Sequence, residues 1–445
     1  MSEIAHPDVL VVGAGTAGIV LASRLSAEPG RRVLLLESGP GGADPALRGL
    51  DYLAGAHHSR FWGGGAVVER VAGQPPRPYR SGRGIGGSAA VNGMVAFPPT
   101  VHDVDAWAAR GCPSWTAEAV QPTVDALAGQ WITTTAAELG PLERALAAAT
   151  ETAGFGTFTP VALERVGTQR ASVAERMLTP ALDRPNLEVR AGLEVRRVVV
   201  EAGRAVGVEL GDGAVLEAGC VVLTTGAIRT PALLVASGLI DVATSGRLSD
   251  HPSGTLTLRL RDDGPAHPIQ TGGVVRWRTP SGATAEALPI GRVGDGLAAL
   301  AVALMDPVSV GSIRVVDGHT QTRLAMLGSA RDRVAMREAI DGALTLVAQP
   351  AVRSLVHDVV TGDTGAPAVS LREASELALD AWVADSGPYL HAACSCPLGA
   401  SLDEWGRVPG VEGLRVADAS ALPELPPVAP NATVTVLAAH LAAHW

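Results

Sequence analysis

An α/β fold, α+β overall, is predicted for this chain, with a Rossmann-like domain interleaved with a smaller domain of sheet and covering helices. Three observations predict it. The chain opens with a continuous apolar run that passes through a glycine-rich turn into a helical stretch, as a doubly wound sheet begins. Its 445 residues exceed one ordinary core, so two domains are expected. Strand-like segments recur at Cys220-Val221-Val222-Leu223 and Leu414-Arg415-Val416-Ala417, on either side of a long stretch of alternating strands and helices.

Asp8-Val9-Leu10-Val11-Val12 is the first strand, apolar throughout after its acid, as expected where both faces of a parallel sheet are covered. It leads into Gly13-Ala14-Gly15-Thr16-Ala17-Gly18, and Ile19 to Leu25 has helical spacing. Gly13 permits the tight turn, Gly15 lets a pyrophosphate approach the backbone, and Gly18 lets helix and strand pack closely. Thr16 and Ala17 begin the helix, whose unpaired N–H groups face the phosphates. A second strand, Arg32 to Leu36, ends in Glu37, whose carboxylate can accept hydrogen bonds from ribose hydroxyls and disfavours a 2′-phosphate. Strand, helix, second strand and terminal acid together point to a bound dinucleotide. FAD and NAD present the same ADP moiety, so this part of the chain suits both.

A second glycine-rich segment, Arg80-Ser81-Gly82-Arg83-Gly84-Ile85-Gly86-Gly87-Ser88-Ala89-Ala90-Val91-Asn92-Gly93-Met94-Val95, favours a flavin. It offers consecutive backbone N–H groups with little side-chain bulk, which suits a pyrophosphate or the isoalloxazine edge. It grades into the apolar Val91 to Phe97, whereas linkers are usually more polar. Leu187 to Arg190, Val195 to Glu201 and Ala205 to Leu210 read as strands, with a sharp turn at Gly211-Asp212-Gly213. Thr255 to Leu260 and Gly273 to Trp277 alternate likewise, while Val334 to Leu346 and Glu373 to Val383 have helical periodicity. The expected division is 1–102, 155–251 and 387–445 for the cofactor-binding domain, and 103–154 and 252–386 for the substrate domain.

Composition narrows the function classes. A hydrophobic share of 47% against 18% charged residues suits a folded protein with a large interior. The net charge of −10 leaves no basic excess for nucleic acid. No run reaches the ~18 apolar residues of a membrane span. The start lacks the basic segment and apolar core of a secretory signal, and the four cysteines do not read as a disulfide framework, so a cytoplasmic location is expected.

The second glycine-rich segment resembles the signature of the glucose–methanol–choline (GMC) oxidoreductases, FAD-dependent alcohol oxidases and dehydrogenases. Asp105-Ala106-Trp107 through Gly111 and Trp115 is similar to the stretch that follows it in that family. Thr225-Gly226-Ala227-Ile228-Arg229-Thr230-Pro231 with Ser237-Gly238 resembles the second signature, and Gly246-Arg247-Leu248-Ser249-Asp250-His251-Pro252 its shortened continuation. His391, Asp418-Ala419 and Pro430-Asn431 complete the set. The resemblance implies a GMC fold and FAD as cofactor, with contacts at Ser88, Asn92, Gly93, Met94, Val95, Val195, Asp418 and Ala419. Some relatives bind FAD covalently through a histidine where this chain has Val91, so a non-covalent FAD is expected. The chain departs from the family pattern at Cys394-Ser395, in place of Gly-Thr, and at Leu398 in place of Met.

Oxidising an alcohol removes a hydroxyl proton and a hydride. Histidine, with an ordinary pKa of about 6.5, suits the base. Of the 11 histidines, His391 is the one expected to act as base. Asn431 is expected to hold the substrate oxygen, with a helix cap as the rival role. His251 is expected to have a local structural role. Cys394 and Cys396 are read as packing, and no metal site is expected. The expected function is oxidation of a small-molecule alcohol to a carbonyl, with oxygen or another electron acceptor reoxidising the flavin, in natural-product tailoring or linked to mycofactocin. A lyase of hydroxynitrile-lyase type and a non-catalytic flavin protein are the alternatives.

Overall fold

The apolar runs from both ends of the chain meet in one five-stranded parallel sheet. In spatial order its strands are Leu187–Ala191, Val33–Glu37, Val9–Val12, Val221–Leu223 and Leu414–Val416, each parallel to its neighbours. The computed structural model describes residues 4–445, apart from 5, 43, 63–66, 245, 263, 295, 318, 363, 364 and 388. Parallel strands need crossovers, and helix Thr16–Leu25 supplies the first. Helix Asn431–Ala443 packs against it. That second helix is covered on all sides, and every residue from Ala432 to Leu441 is buried. The end of the chain thereby returns to its beginning.

The second layer is a seven-stranded antiparallel sheet in the order Ala366–Pro367, Val356–Thr361, Ser253–Leu260, Leu297–Leu304, Thr284–Gly294, Gly273–Arg278, Thr157–Pro160. Leu297–Leu304 (LAALAVAL) is its central strand, buried from Ala298 onward. Helix Ala330–Val347 covers one face. Ser329 caps its start by accepting a hydrogen bond from the Asp332 N–H. Its buried positions Ala335, Met336, Ala339, Ile340, Ala343, Leu344 and Val347 recur at helical spacing and close the core against the sheet. Each fully buried Leu, Ile or Met there contributes roughly 1.5–3 kcal/mol.

Three stretches pair or pack across the expected segments. In one, strand Val67–Glu69 pairs with His319–Arg323, while Val68, Val71 and Tyr79 join the core of the antiparallel sheet. Strand Thr157–Pro160, expected in the cofactor domain, pairs with Gly273–Arg278 at the edge of the antiparallel sheet. The segment 103–154, expected whole in the substrate domain, divides. Val104, Trp107, Trp115, Val120 and Leu127 pack in the core of the parallel sheet, whereas Leu142, Ala145, Leu146 and Ala149 join the antiparallel one. Amphipathic periodicity shows that a helix has a buried face but does not say which core it covers. No described helix is long and apolar enough to cross a membrane.

Candidate active site

The two glycine-rich segments touch. In the first, a Cβ on Gly18 would lie 1.9 Å from the Gly13 carbonyl oxygen, so helix and turn close only around glycine there. A Cβ on Gly15 would meet nothing within 4 Å. Gly15 therefore faces open space at the start of a helix that has no side-chain cap. In the second segment a Cβ on Gly87 would lie 2.7 Å from the Gly15 Cα, and Gly86 N–H donates to the Ala14 carbonyl at 2.9 Å. Glu37 locks the arrangement. Its Oε2 accepts from Ala14 N–H at 3.0 Å, and its Oε1 accepts from Gly39 N–H at 2.8 Å and Gly84 N–H at 3.0 Å.

Arg170 holds the second segment from behind, a role that nothing in its local sequence announces. Its guanidinium donates to the Asn92 carbonyl at 2.7 Å, to Asn92 Oδ1 at 2.9 Å and to the Ala89 carbonyl at 3.2 Å. Asn92 Oδ1 also accepts from Met94 N–H at 2.9 Å. That turn holds Met94 at a φ of 62°, in the left-handed region that non-glycine residues seldom occupy. Ser88 Oγ accepts from Gly82 N–H at 3.0 Å. Val91 is buried and aliphatic, so its side chain has no atom that could bond covalently to a flavin.

His391 reaches this region through a ladder. Cys394, Cys396 and Leu398 N–H groups donate to the carbonyls of Ala419, Ser420 and Ala421. The Asp418 side chain pins that partner segment, accepting from Gly226 N–H at 2.8 Å and Thr230 Oγ1 at 2.6 Å, and from Ser420 N–H and Oγ at 2.8 and 2.6 Å. Leu390 and Cys394 both adopt left-handed backbone, at φ 64° and 68°. Such a position favours glycine, which is the residue the family pattern expects where Cys394 stands. Strain flanking His391 on both sides is the pattern of a functional segment.

Sequence reasoning gave Asp250 no role of its own and left His251 a local structural one. Asp250 is buried, and its Oδ1 accepts from both His251 N–H (2.8 Å) and His391 N–H (2.9 Å), while Tyr79 Oη donates to its Oδ2 at 2.8 Å. Burial raises this carboxyl to about 7, against those three donors. His251 is fully buried. Its Nδ1 lies 2.9 Å from His391 Nδ1 and its Nε2 lies 3.1 Å from the Pro426 carbonyl oxygen. Burial first, and the neighbouring His251 ring second, hold His391 well below the ordinary histidine range. His391 is therefore neutral at pH 7.

Asn431 lies at the start of the C-terminal helix and lines the same cavity. It is the residue expected to hold a substrate oxygen, and its side chain also makes contacts within the protein. Its Oδ1 accepts from Thr16 Oγ1 at 2.7 Å. Its Nδ2 is enclosed by protein, on the side of Glu164, a buried carboxyl that burial raises to about 7. The carboxamide oxygen is thus engaged by Thr16, a cavity-lining residue at the start of the first helix. Sequence position placed the residue at the site but could not orient its side chain. Cys394 and Cys396 are buried free thiols whose burial pushes their pKa up, which makes them poor nucleophiles. Among the described residues no cluster of His, Cys, Asp or Glu is placed to hold a metal ion.

One cavity of about 1340 Å³ joins these parts. Gly13, Gly15, Thr16, Ala17, Glu37, Ser88, Asn92, Gly93, Met94, Val95 and Val195 line one portion, and Asp418, Ala419, His391 and Asn431 the wall beyond. Of the expected site residues only Gly18 is absent from the lining; it is buried in the helix–turn contact. The cavity continues against the antiparallel sheet, where Ser253, Thr255, Glu286, Leu288, Ala301 and Tyr389 line it. Glu286 accepts from Arg276 Nε at 2.8 Å, so its charge is already compensated. A cavity of this volume, lined by both glycine-rich segments and an uncapped helix start, fits a dinucleotide. The first and second glycine-rich segments would hold its phosphates, and Glu37 and Val195 the adenosine end.

A doubly wound parallel sheet joined through one cavity to an antiparallel sheet defines a two-domain dinucleotide-binding oxidoreductase. The family models for GMC oxidoreductase match residues 7–253 (N-terminal) and 307–438 (C-terminal), and the chain belongs to the GMC oxidoreductase family. It is 30% identical to an uncharacterised GMC-type oxidoreductase from Rhodococcus erythropolis over 98% of each chain. It is 27% identical to an oxygen-dependent choline dehydrogenase from Vibrio vulnificus, over 95% of this chain and 91% of that one. Its fold superposes on the crystal structure of pyridoxine 4-oxidase from Mesorbium loti with a TM-score of 0.84, at 24% identity and 99% coverage of both chains. As a GMC oxidoreductase it is an FAD enzyme of the group that acts on alcohol donors, as oxidase or dehydrogenase.

Proposed function

We propose that this enzyme oxidises a small-molecule alcohol to its carbonyl with His391 as the base. The observation that carries the reading is a neutral imidazole on the wall of the cavity that the two glycine-rich segments open into. Bound FAD supplies the hydride acceptor. The chain's own contribution is to remove the hydroxyl proton and to hold the alcohol carbon toward the flavin. His391 is a group on this wall whose ring stays neutral and so keeps a basic lone pair at neutral pH, and a positioned base contributes about 10²–10⁴-fold to such a step. Tyr389, with its ring centroid 5.3 Å from that of His391, limits how the alcohol approaches.

The same reading makes the FAD non-covalent at the position of Val91, and makes Asn431 a residue of the cofactor wall. Segments 1–131 (with helices 101–109 and 117–127), 161–251 and 387–445 are proposed as the FAD-binding domain, and 141–160 with 252–386 as the substrate domain. The paired Glu286–Arg276 in the substrate half gives no bare carboxylate for a quaternary cation, so an uncharged alcohol is the proposed substrate class. Anaerobic incubation of the purified flavoprotein with a panel of primary and secondary alcohols tests the function. Bleaching of the flavin with stoichiometric carbonyl formation is expected. Turnover of a cyanohydrin with no flavin bleaching by any alcohol would favour the lyase instead.

A further inference from the structure

We propose that His251 is a positioning residue for the oxidation: it fixes His391 in the tautomer whose bare Nε2 takes the substrate proton. This rests on His391 being the base. A carbonyl oxygen only accepts, so with Pro426 O at 3.1 Å the proton of neutral His251 sits on Nε2. Its Nδ1 is then a lone pair. That lone pair lies 2.9 Å from His391 Nδ1, and two bare nitrogens do not approach to that distance. His391 Nδ1 must therefore carry the proton and donate it to His251. With Nδ1 protonated and the ring neutral, the remaining lone pair of His391 is on Nε2. Among the described residues no hydrogen bond engages that atom, and the ring lines the cavity.

Further observations separate a positioning role from ordinary packing. His251 is absent from the cavity lining and is fully buried, so it meets His391 and not the substrate. The rings stand at 89° with centroids 5.2 Å apart, so they are not stacked, and their close contact is the 2.9 Å approach of the two Nδ1 atoms. The main chains of both histidines are tied to one Asp250 oxygen, so the pair keeps its register. Burial holds His251 down to about 3, against the carbonyls of Pro426 and Met305, so it stays neutral through the working range of the enzyme. The logic is that of any oriented imidazole base: a partner on one ring nitrogen decides what the other can do.

The test uses the FAD-loaded enzyme with ¹⁵N-labelled histidine, in which the His391 signals are identified by their loss in His391→Ala. The expected result is an unprotonated Nε2 and a protonated Nδ1 in the parent. The glutamine amide of His251→Gln reaches the Nε2 position and keeps the Pro426 bond but removes the acceptor facing His391. It is expected to give averaged His391 tautomers and a kcat roughly 10²-fold lower, with KM and bound FAD little changed. The carboxamide oxygen of His251→Asn can stand where Nδ1 stood, and this variant is expected to recover most of the kcat. A proton on His391 Nε2 in the parent overturns the proposal, even if no variant folds. So does an unchanged kcat and tautomer in His251→Gln. If instead His391→Ala turns over normally while the tautomer is as stated, the assignment of His391 as base fails and the His251 geometry does not.

Discussion

His391 is neutral at pH 7 because burial, and then the neighbouring His251 ring, hold its pKa down, and that has a measurable consequence. The folded-state pKa lies well below about 6.5, so the base stays deprotonated as pH falls through the ordinary histidine range. The acid limb of kcat/KM, which reports the free enzyme, is expected clearly below pH 6.5, with a flat region from there to pH 8. A limb centred at or above 6.5 would mean that the residue is solvated or is not the base. At Gly15 and Gly18 two identical substitutions should part company. Gly18→Ala puts a methyl 1.9 Å from a backbone oxygen and is expected to lower the melting temperature of the apoprotein. Gly15→Ala meets no protein atom and is expected to leave the apoprotein melting temperature within a degree or two, yet to weaken FAD retention at least tenfold. Equal effects on apoprotein stability would contradict the assignment of Gly15 to the phosphates. The residue scale is also where sequence reading divides most sharply. The glycines and His391 sit in motifs, whereas His251 and His391 lie 140 residues apart and meet only in the fold.

Among the elements, the second glycine-rich segment and the C-terminal helix both owe their place to side chains from elsewhere. Arg170 alone spans Ala89 and Asn92. Arg170→Leu leaves the Ala89 and Asn92 carbonyls without that donor and takes one of two nearby cations from the buried Glu164; each buried acceptor left unsatisfied costs about 1–3 kcal/mol. The expected outcome is a poorly loaded enzyme, read by the ratio of flavin to protein absorbance. Asn431→Ala removes the bond to Thr16 and is expected to raise the FAD dissociation constant severalfold while sparing the kcat of the loaded enzyme. A collapse of kcat with normal FAD content would favour the substrate-anchoring role expected from its position in the chain. Strands and helices themselves were legible: the run Val9–Val12, the strand Val195–Glu201 and the periodic stretch within Ala330–Val347 are where their patterns put them. Which core a helix covers was not legible, because Val104 and Leu146 carry the same kind of apolar face and pack in different cores. Arg170 was invisible for a similar reason, since an arginine beside Ala171 and Ser172 has no local pattern to mark it.

For the molecule as a whole, the parallel and antiparallel sheets share one cavity, so what fills it joins the two layers. Stripping FAD is expected to lower the melting temperature, and adding it back at about 100 times its dissociation constant should return roughly 2.7 kcal/mol of stability. Acid precipitation of the holoenzyme is expected to leave all of the flavin in the supernatant, because Val91 offers no attachment atom. The interleaving of the domains follows from the same topology. The strands flanking the cavity come from residues 9–37, 187–223 and 414–416 on one side and from 157–160 and 253–367 on the other, and neither set is continuous in sequence. The most direct test of the account is the anaerobic rate at which a reducing alcohol bleaches the bound flavin, compared between the parent and a fully FAD-loaded His391→Ala. The account predicts a fall of at least about 10²-fold in the alanine variant, with the flavin spectrum of the oxidised enzyme intact. An equal rate in the two proteins would contradict it.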